Sequence, residues 1–397
     1  MNTILRKQFL AHVGQTSPEP MMIEVARAEG VFFYTPEGKH YYDLVAGVSV
    51  SNVGHANPRV VEAVQRQAAD YMHIMVYGEM IERPQVRYAA RIAELLPGEL
   101  SSVYFVNSGA EAIEGALKLA KRYTHRTELV SMRRAYHGST QGAMSLMGEP
   151  EGEEWKGAFR PLLPDVRAID FNDFDQLRLI TRRTACVVVE PVQGEAGVYP
   201  WDPDTLYDVA QFCRKNGLLL IVDEVQSGIF RCGEFPFAFQ NLGITPDIIT
   251  MAKGIASGFP MGACAARIEV AEAFEPGDHG STFGGSNLAM AAAHATLATL
   301  SRGHYDDRVT EVGDYFAEKL AQVEGVTEVR GMGLMLGADL EEGVDAHKVV
   351  AQGLEEGFLL NATGEHTLRF LPPLIATENE IDKLIDALPG MIAAVRE

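Results

Sequence analysis

Five short segments of the chain are almost continuously apolar and lack the polar alternation of a half-buried strand. A short apolar run of this kind is typical of a strand that is covered on both faces, as in a parallel sheet. The sequence therefore predicts buried parallel strands in the segments 103–106, 129–131, 186–189, 218–222 and 247–251.

Two segments between these strands carry apolar residues at helical spacing, 110–123 and 204–215. Asn216 and Gly217 follow the second segment and supply its C-terminal stop. A strand, a helix and a strand in succession predict βαβ units, which build an open α/β sheet.

The two ends of the chain have different patterns. Residues 31–44 predict a hairpin that turns at Pro36, Glu37 and Gly38. From about residue 301 the pattern becomes a helix, short strands and two further helices, which is typical of a smaller α+β domain.

The composition excludes several classes of partner. With 47% hydrophobic and 22% charged residues in a chain of 397, it is that of a globular protein. The net charge of −20 argues against nucleic acid and against an anionic membrane surface, since both attract clustered lysine and arginine. The longest nearly apolar stretches, such as 288–300, are shorter than the roughly 18 residues that a membrane span requires.

The N-terminal residues and the cysteines indicate the compartment. No apolar run follows residues 1–10, so we expect no signal peptide. The four cysteines are scattered and form no CxxC pair, which predicts reduced thiols and neither a disulfide framework nor a metal site. Together these features predict a cytoplasmic protein.

Polar residues follow the predicted strands, at the sheet edge where an open α/β sheet binds its ligands. Ser108, Gly109 and Ala110 follow the first strand and run directly into a helix. Free N–H groups at a helix N-terminus favour an anion, so this segment is a candidate phosphate cradle; an ordinary capped helix start is the alternative.

Two further strand ends carry charged groups. Asp223 closes an apolar strand and needs a cationic partner, either a protonated ring nitrogen or a neighbouring arginine. Lys253 is either a surface lysine or a desolvated amine, which has a lowered pKa and forms Schiff bases with carbonyls. With an aromatic side chain at Tyr136 and the phosphate cradle, these groups are the parts that pyridoxal 5'-phosphate requires.

Eight segments, in their order and spacing, resemble those of a known family. They are YYDLVAGVSVSNVGH, VNSGAEAIEGALKLAKRY, AYHG, VVVEPVQGEAG, LLLIVDEVQSG, PDIITMAKGIASGFPMGA, HGSTFGGSN and LRFLPPL. The family is that of the class III (subgroup II, ω-type) aminotransferases, which are pyridoxal-phosphate enzymes of fold type I. The resemblance covers nearly the whole chain and is greatest to acetylornithine and ornithine aminotransferases, with 4-aminobutyrate aminotransferases close behind.

The resemblance implies an architecture. A large pyridoxal-phosphate-binding domain with a mostly parallel sheet would span residues 56–300, and a small α+β domain would span 301–397. The N-terminal segment, 1–55, would pack with the small domain and with the partner subunit of a homodimer.

The resemblance also implies roles for the residues that contact the cofactor. Lys253 would form the Schiff base and later carry the substrate proton, and Asp223 would pair with the pyridine nitrogen. Val225 and Tyr136 would pack on the two ring faces, while Gln226 would bind the phenolic oxygen.

The phosphate would be shared between two subunits. Ser108, Gly109 and Ala110 would hold it in one subunit, and Thr282 would reach it from the other. His137, beside the ring-stacking tyrosine, is either a proton relay or a histidine satisfied at a turn.

At the substrate end, Arg369 would bind a substrate carboxylate. Glu195 would neutralise Arg369 when that end of the substrate lacks a carboxylate. Of three departures from the family, one concerns a carboxylate anchor. Ser139 stands where the nearest relatives carry a carboxylate-binding arginine, so that anchor is either missing or supplied from elsewhere, with Arg133 and Arg134 nearby in sequence.

The predicted reaction moves an amino group from an ω-amino donor to 2-oxoglutarate by a ping-pong mechanism. A donor of the acetylornithine or ornithine type ranks first, and 4-aminobutyrate or another ω-amine is the alternative. An amino-shifting mutase of the glutamate-1-semialdehyde type, a non-catalytic cofactor-binding protein and a phosphate-binding protein without the cofactor are the competing classes.

Overall fold

The computed structural model describes residues 3–17, 19–76, 78–148 and 156–396. The N-terminal part contains a hairpin in which the strand Phe32–Tyr34 pairs antiparallel with the strand His40–Asp43, as the sequence predicts. Its elements are α1 (Thr3–His12), β1 (Arg27–Glu29), β2 (Phe32–Tyr34), β3 (His40–Asp43) and α2 (Ala46–Ser49).

The central part of the chain alternates strands and helices. The strands are β4 (Ser102–Val106), β5 (Glu128–Met132), β6 (Val166–Ile169), β7 (Thr184–Val189), β8 (Val192–Gln193), β9 (Tyr199–Pro200), β10 (Leu219–Asp223), β11 (Ile248–Met251) and β12 (Gly262–Ala266). The α-helices are α3 (Pro58–Asp70), α4 (Arg83–Leu95), α5 (Gly109–Thr124), α6 (Gln141–Ser145), α7 (Pro203–Asn216), α8 (Ala238–Asn241), α9 (Ile268–Ala271) and α10 (Asn287–Arg302).

Seven of these strands form one sheet in the order β4-β12-β11-β10-β7-β5-β6. Neighbouring strands from β11 to β6 run parallel, and only β12 is antiparallel to its neighbours. The five predicted strands and the mostly parallel sheet are thus confirmed.

Strand β10 shows why the predicted strands lack polar alternation. Leu220 and Val222 pack into a hydrophobic cluster on one face of the sheet. Leu219 and Ile221 pack into a second cluster on the other face. Because helices cover both faces, these positions of the strand are all buried and apolar.

The C-terminal part is the smaller α+β unit that the sequence predicts. Its elements are α11 (Tyr305–Leu320), β13 (Val326–Met332), β14 (Met335–Leu340), α12 (Ala346–Glu356), β15 (Phe358–Leu359), β16 (Asn361–Thr363), β17 (Thr367–Phe370) and α13 (Glu378–Ala393). Four of its strands form an antiparallel sheet in the order β13-β14-β17-β16. Strand β15 instead pairs with β3, so both ends of the chain contribute to one small sheet.

One arginine connects three remote parts of the chain. Arg231 is fully buried and donates hydrogen bonds to Ser49 Oγ at 3.0 Å and Asn52 Oδ1 at 2.7 Å. It also donates to the carbonyls of Leu334 at 2.9 Å and Pro372 at 2.6 Å. Burial lowers the pKa of this guanidinium to about 9.

All four cysteines are buried and free of disulfides. In the part of the chain that the structure describes, no helix combines the length and apolar character needed to cross a bilayer.

Candidate active site

A cavity of about 400 Å³ lies at the carboxyl ends of the parallel strands. Eight of the residues predicted to contact the cofactor line it together: Ser108, Gly109, Ala110, Tyr136, Asp223, Val225, Gln226 and Lys253. They come from loops after four different strands, which meet because parallel strands all end at the same sheet edge.

Lys253 begins a short 3-10 turn, Lys253–Ala256, directly after β11. Its φ of 47° lies in the left-handed region, which non-glycine residues seldom occupy and which is found at functional sites. Burial lowers the pKa of its amine, and the charge of Arg369 adds to this effect, while Glu195 and Asp223 oppose it. A lowered pKa increases the fraction of unprotonated amine at neutral pH, and only the unprotonated amine can attack a carbonyl or accept a proton.

Asp223, the last residue of β10, is buried and held by three hydrogen bonds. Its Oδ1 accepts from the Val225 N–H at 3.0 Å and from Thr250 Oγ1 at 3.1 Å. Its Oδ2 lies 2.7 Å from Nδ1 of His137. These contacts fix the carboxylate at the cavity wall, and no arginine among the described residues pairs with it.

His137 contacts Asp223 through a ring that is almost completely buried. Burial acts to lower the pKa of this histidine, but the hydrogen bond and charge of Asp223 outweigh it, and the pKa is raised. Its Nε2 is buried without a hydrogen-bond partner among the described residues. The sequence left the place of His137 open, and the structure puts it against Asp223.

The N-terminus of α5 forms the candidate phosphate cradle. Ser108 caps the helix, because its Oγ accepts from the Glu111 N–H at 3.2 Å. A Cβ at Gly109 would lie 2.9 Å from Cγ1 of Val225, so a side chain there would collide with the cavity wall. A 16-residue helix that begins at this small-residue loop suits an anion.

Tyr136 contributes an aromatic side chain to the cavity. Its backbone N–H donates to Oε2 of Glu190 at 3.1 Å, and its hydroxyl lies 3.0 Å from Oγ of Ser139. Burial raises the pKa of Glu190 to about 8, so this carboxyl is mostly protonated at neutral pH.

An amine, a buried carboxylate, an aromatic ring and an anion cradle thus share one cavity. These are the groups that the aldehyde, ring nitrogen, ring face and phosphate of pyridoxal 5'-phosphate require. The orphaned Nε2 of His137 and the glycine-only cradle at Gly109 also fit a bound polar group. The residues present therefore fit this cofactor.

Arg369 and Glu195 form an ion pair beside the cavity, with 2.7 Å between Nη1 and Oε1. Arg369 Nη1 also contacts the Gly194 carbonyl at 3.2 Å and Gln226 Oε1 at 3.3 Å. Burial acts to raise the pKa of Glu195, but the charge and hydrogen bonds of Arg369 outweigh it, and the pKa is lowered. The pair is therefore ionised at neutral pH.

Among the described residues, no arginine lines the cavity itself. Ser139 lines it, whereas Arg133 and Arg134 are not among its lining residues. Arg133 is exposed and pairs with Asp170 at 2.7 Å. In this arrangement neither arginine replaces the carboxylate-binding arginine that the family carries at the position of Ser139.

Thr282 is exposed and is not among the residues that line the cavity of its own chain. Its predicted contact lies in a neighbouring subunit and stays a prediction.

The chain is similar to known proteins over nearly its whole length. Residues 13–392 match the family described as Aminotransferase class-III. The acetylornithine aminotransferase of Methanocaldococcus jannaschii is 40% identical over 387 residues, which cover 94% of each chain. The ornithine aminotransferase of Toxoplasma gondii, crystallised with partly occupied PLP at its active site, is 30% identical with a TM-score of 0.92, covering 98% of this chain and 94% of that one.

A further solved structure, a thermostable (S)-enantioselective omega-transaminase from Thermomicrobium roseum, is 28% identical with a TM-score of 0.91. The two chains are covered to 99% and 98%. The family match spans nearly all of the sequence, and these structures share its fold. The chain belongs to the class-III aminotransferases, the family implied by its sequence motifs.

Proposed function

We propose that the protein transfers an amino group from an ω-amino donor to 2-oxoglutarate by a ping-pong mechanism, with a donor of the acetylornithine or ornithine type as first choice. The observation that carries this proposal is the position of Lys253. A desolvated amine opens into the same cavity as the buried carboxylate of Asp223 and lies within electrostatic reach of the Glu195–Arg369 ion pair.

Different residues of the chain would hold the cofactor and move the substrate proton. Ser108, Gly109 and Ala110 would hold the cofactor phosphate, and Asp223, supported by His137, would keep the ring nitrogen protonated. Lys253 Nζ would hold the cofactor and then remove and return the substrate proton. When bound, pyridoxal 5'-phosphate supplies the electron sink for this proton transfer.

The Glu195–Arg369 ion pair lets one site accept two kinds of substrate. When the substrate end that faces Arg369 is uncharged, Glu195 neutralises the guanidinium. When 2-oxoglutarate binds, its carboxylate takes the place of the Glu195 carboxylate. Both states avoid an unpaired buried charge, which would be costly.

The surroundings of Ser139 favour a second candidate, a donor without the carboxylate that acetylornithine carries. The hydroxyl of Ser139 contacts Tyr136, and neither Arg133 nor Arg134 lines the cavity. A neutral wall of this kind suits a simple ω-amine such as an aryl alkyl amine.

A donor titration tests both candidates. The purified protein with bound cofactor is mixed with N-acetylornithine, ornithine, 4-aminobutyrate, lysine or an aryl amine, and the visible cofactor band is followed. Bleaching by a carboxylate-bearing donor, with recovery on adding 2-oxoglutarate, supports the first proposal; bleaching by the aryl amine alone supports the second. A band that no donor bleaches and that glutamate-1-semialdehyde perturbs would replace both with the mutase.

We further propose a cytoplasmic homodimer in which Thr282 completes the partner's site. Thr282 lies next to Phe283, whose side chain is 60% exposed, and Ile81 is 93% exposed. Large apolar side chains exposed in this way are typical of a surface that another subunit covers. Mixing inactive Lys253→Ala with weakened Thr282→Ala tests this, since mixed dimers regain one intact site; no gain in activity would count against it.

A further inference from the structure

Two arginines lie in one row across the small antiparallel sheet. Arg330 of β13 pairs with Gly337 of β14, and Gly337 pairs with Arg369 of β17. Directly paired residues of adjacent strands point to the same face, so both guanidiniums leave the sheet on one side. Gly337, without a side chain, leaves a gap between them.

The turn that carries Glu195 fills this gap. It comprises residues 194–198, between β8 and β9, and we refer to it as the 194–198 turn. Arg369 contacts the Gly194 carbonyl at 3.2 Å, and Arg330 Nε donates to the Gly197 carbonyl at 2.9 Å. A Cβ at Gly337 would lie 2.7 Å from that same carbonyl oxygen. The turn is thus held at both ends by one row of one sheet.

Arg330 is itself held rigidly. Its Nη1 and Nη2 donate to the two carboxylate oxygens of Asp339 at 2.7 and 2.8 Å, and its guanidinium lies 4.0 Å from the ring centroid of Tyr199. Only 8% of the side chain is exposed. A guanidinium fixed in this way positions its Nε–H donor accurately on the turn.

The 194–198 turn has an unfavourable backbone conformation. Gly197 has a φ of 117° and Val198 a φ of 63°. A positive φ is a genuine outlier for a β-branched residue and persists only where the surroundings enforce it. The contact from Arg330 lies on the residue directly before Val198.

We propose that Arg330 is a positioning residue for substrate selection: by holding the Gly197 carbonyl, it keeps the 194–198 turn in the conformation that places Glu195 on Arg369. The inference rests on the proposed function, because it concerns the exchange of Glu195 for a substrate carboxylate. Arg330 acts through the turn and does not line the cavity.

The proposal predicts opposite effects on two classes of ligand. Without the Arg330 contact, the turn relaxes, and Glu195 covers Arg369 less of the time. Dicarboxylates then compete with a weaker internal partner and bind more tightly. Donors without a carboxylate at that end bind less tightly, since they need Arg369 neutralised.

The test uses the holoenzyme and glutarate, a dicarboxylate that lacks the reactive keto group. In Arg330→Met we expect the glutarate dissociation constant, measured by calorimetry, to fall roughly three- to tenfold, as the loss of one hydrogen bond implies. The Michaelis constant of an uncharged-end donor should rise by a similar factor, with kcat nearly unchanged. Arg330→Lys keeps a cationic donor at this position. Its glutarate dissociation constant should lie between those of the unmodified protein and Arg330→Met.

Asp339→Asn is the matched comparison, because it keeps Arg330 and its donor to the Gly197 carbonyl but weakens the ion pair that holds the guanidinium. It should change the glutarate affinity in the same direction as Arg330→Met but by a smaller factor. An unchanged glutarate affinity in folded Arg330→Met, or an equal change in Asp339→Asn, overturns the proposal. Glu195→Gln separates a failure of the proposed function from a failure of this inference. If Glu195→Gln does not alter glutarate binding, the proposed role of Glu195 fails. If Glu195→Gln alters glutarate binding but Arg330→Met does not, only the role of Arg330 fails.

Discussion

The two ends of the active site are built on different principles. At the cofactor end, Asp223 is fixed by Val225, Thr250 and His137, all within the large sheet and its loops. At the substrate end, Arg369 of β17 has several neutral hydrogen-bond acceptors and one charged partner, Glu195, on the turn between β8 and β9. The proposed function requires the first arrangement to stay in place, whereas it requires the Glu195–Arg369 ion pair to open.

This difference indicates that the reaction depends on the cofactor end and that substrate selection depends on the substrate end. The cofactor end needs a permanent charge distribution, and a network with several hydrogen bonds per group supplies it. In the proposed function, the substrate end must satisfy Arg369 with or without a substrate carboxylate. Glu195, the charged partner of Arg369, would do this without leaving a buried charge unpaired.

The largest effect should follow from removing the amine at the cofactor end. Lys253→Ala is expected to lower turnover by more than about 10³-fold, because no other described amine lines the cavity to move the substrate proton. Steady-state assays with the best donor measure the loss, and exposed Lys215→Ala serves as control. Substantial remaining turnover would contradict the assigned role.

The next largest effect concerns the charge at the same end. Asp223→Asn keeps the shape of the side chain but removes the negative charge that would hold the ring nitrogen protonated, so turnover should fall about 10²-fold or more. Circular dichroism should show an intact fold, and exposed Asp204→Asn should behave as the unmodified protein. A near-normal rate would mean that another group, such as His137, protonates the ring.

At the substrate end, the effect should be smaller and selective. Arg369→Met is expected to weaken the productive binding of the oxo acid acceptor, so that its Michaelis constant rises about 10- to 100-fold, since a charge-assisted contact is lost. The half-reaction with an amine that lacks a carboxylate at that end should change much less. Equal losses of activity in both half-reactions would show that the cofactor end and the substrate end do not act independently. Exposed Arg302→Met is the control.

The smallest effect is on the pH dependence of thermal stability, and two glutamates are compared. Glu224 is buried, accepts from Ser227 Oγ at 2.6 Å and from the Phe239 N–H at 2.8 Å, and has a pKa that burial raises to about 7. A raised carboxyl pKa adds stability below the unfolded value of about 4.3, and this is lost as pH rises through the folded value.

The fall in Tm between about pH 5 and about pH 8 should therefore shrink by about 2 °C in Glu224→Gln, measured by thermal unfolding. Glu195 has a lowered pKa, so its contribution is present above about pH 4.3 and is lost only at lower pH. Glu195→Gln should leave the pH dependence of Tm in this window unchanged. The same flattening in both variants would show that burial, not the Arg369 partner, sets these pKa values.

The strands and the residues that follow them could be predicted from sequence because each depends on a local pattern. Apolar runs locate β4, β10 and β11, and parallel strands bring Ser108, Asp223 and Lys253 to one edge. The fold class followed from this pattern and from the family resemblance. The roles of Arg369 and Glu195 came from the resemblance alone, and the structure adds that the two side chains are paired.

Contacts between remote segments could not be predicted in the same way. The contact of His137 with Asp223 depends on the sheet order β5-β7-β10, which no local pattern encodes. Arg330 gave no signal either, since most arginines are exposed and its burial depends on Asp339 and Tyr199. In both cases the missing information is three-dimensional pairing, not residue chemistry.

Arg231 has a consequence for how the chain is made. Its four acceptors are neutral oxygens, and two of them belong to Leu334 and Pro372, near the end of the sequence. A nascent chain that has emerged only to about residue 300 would leave this guanidinium with half of its partners, and burying it then is unfavourable. We therefore expect the segment around Arg231 to close only after residues 334–372 have left the ribosome.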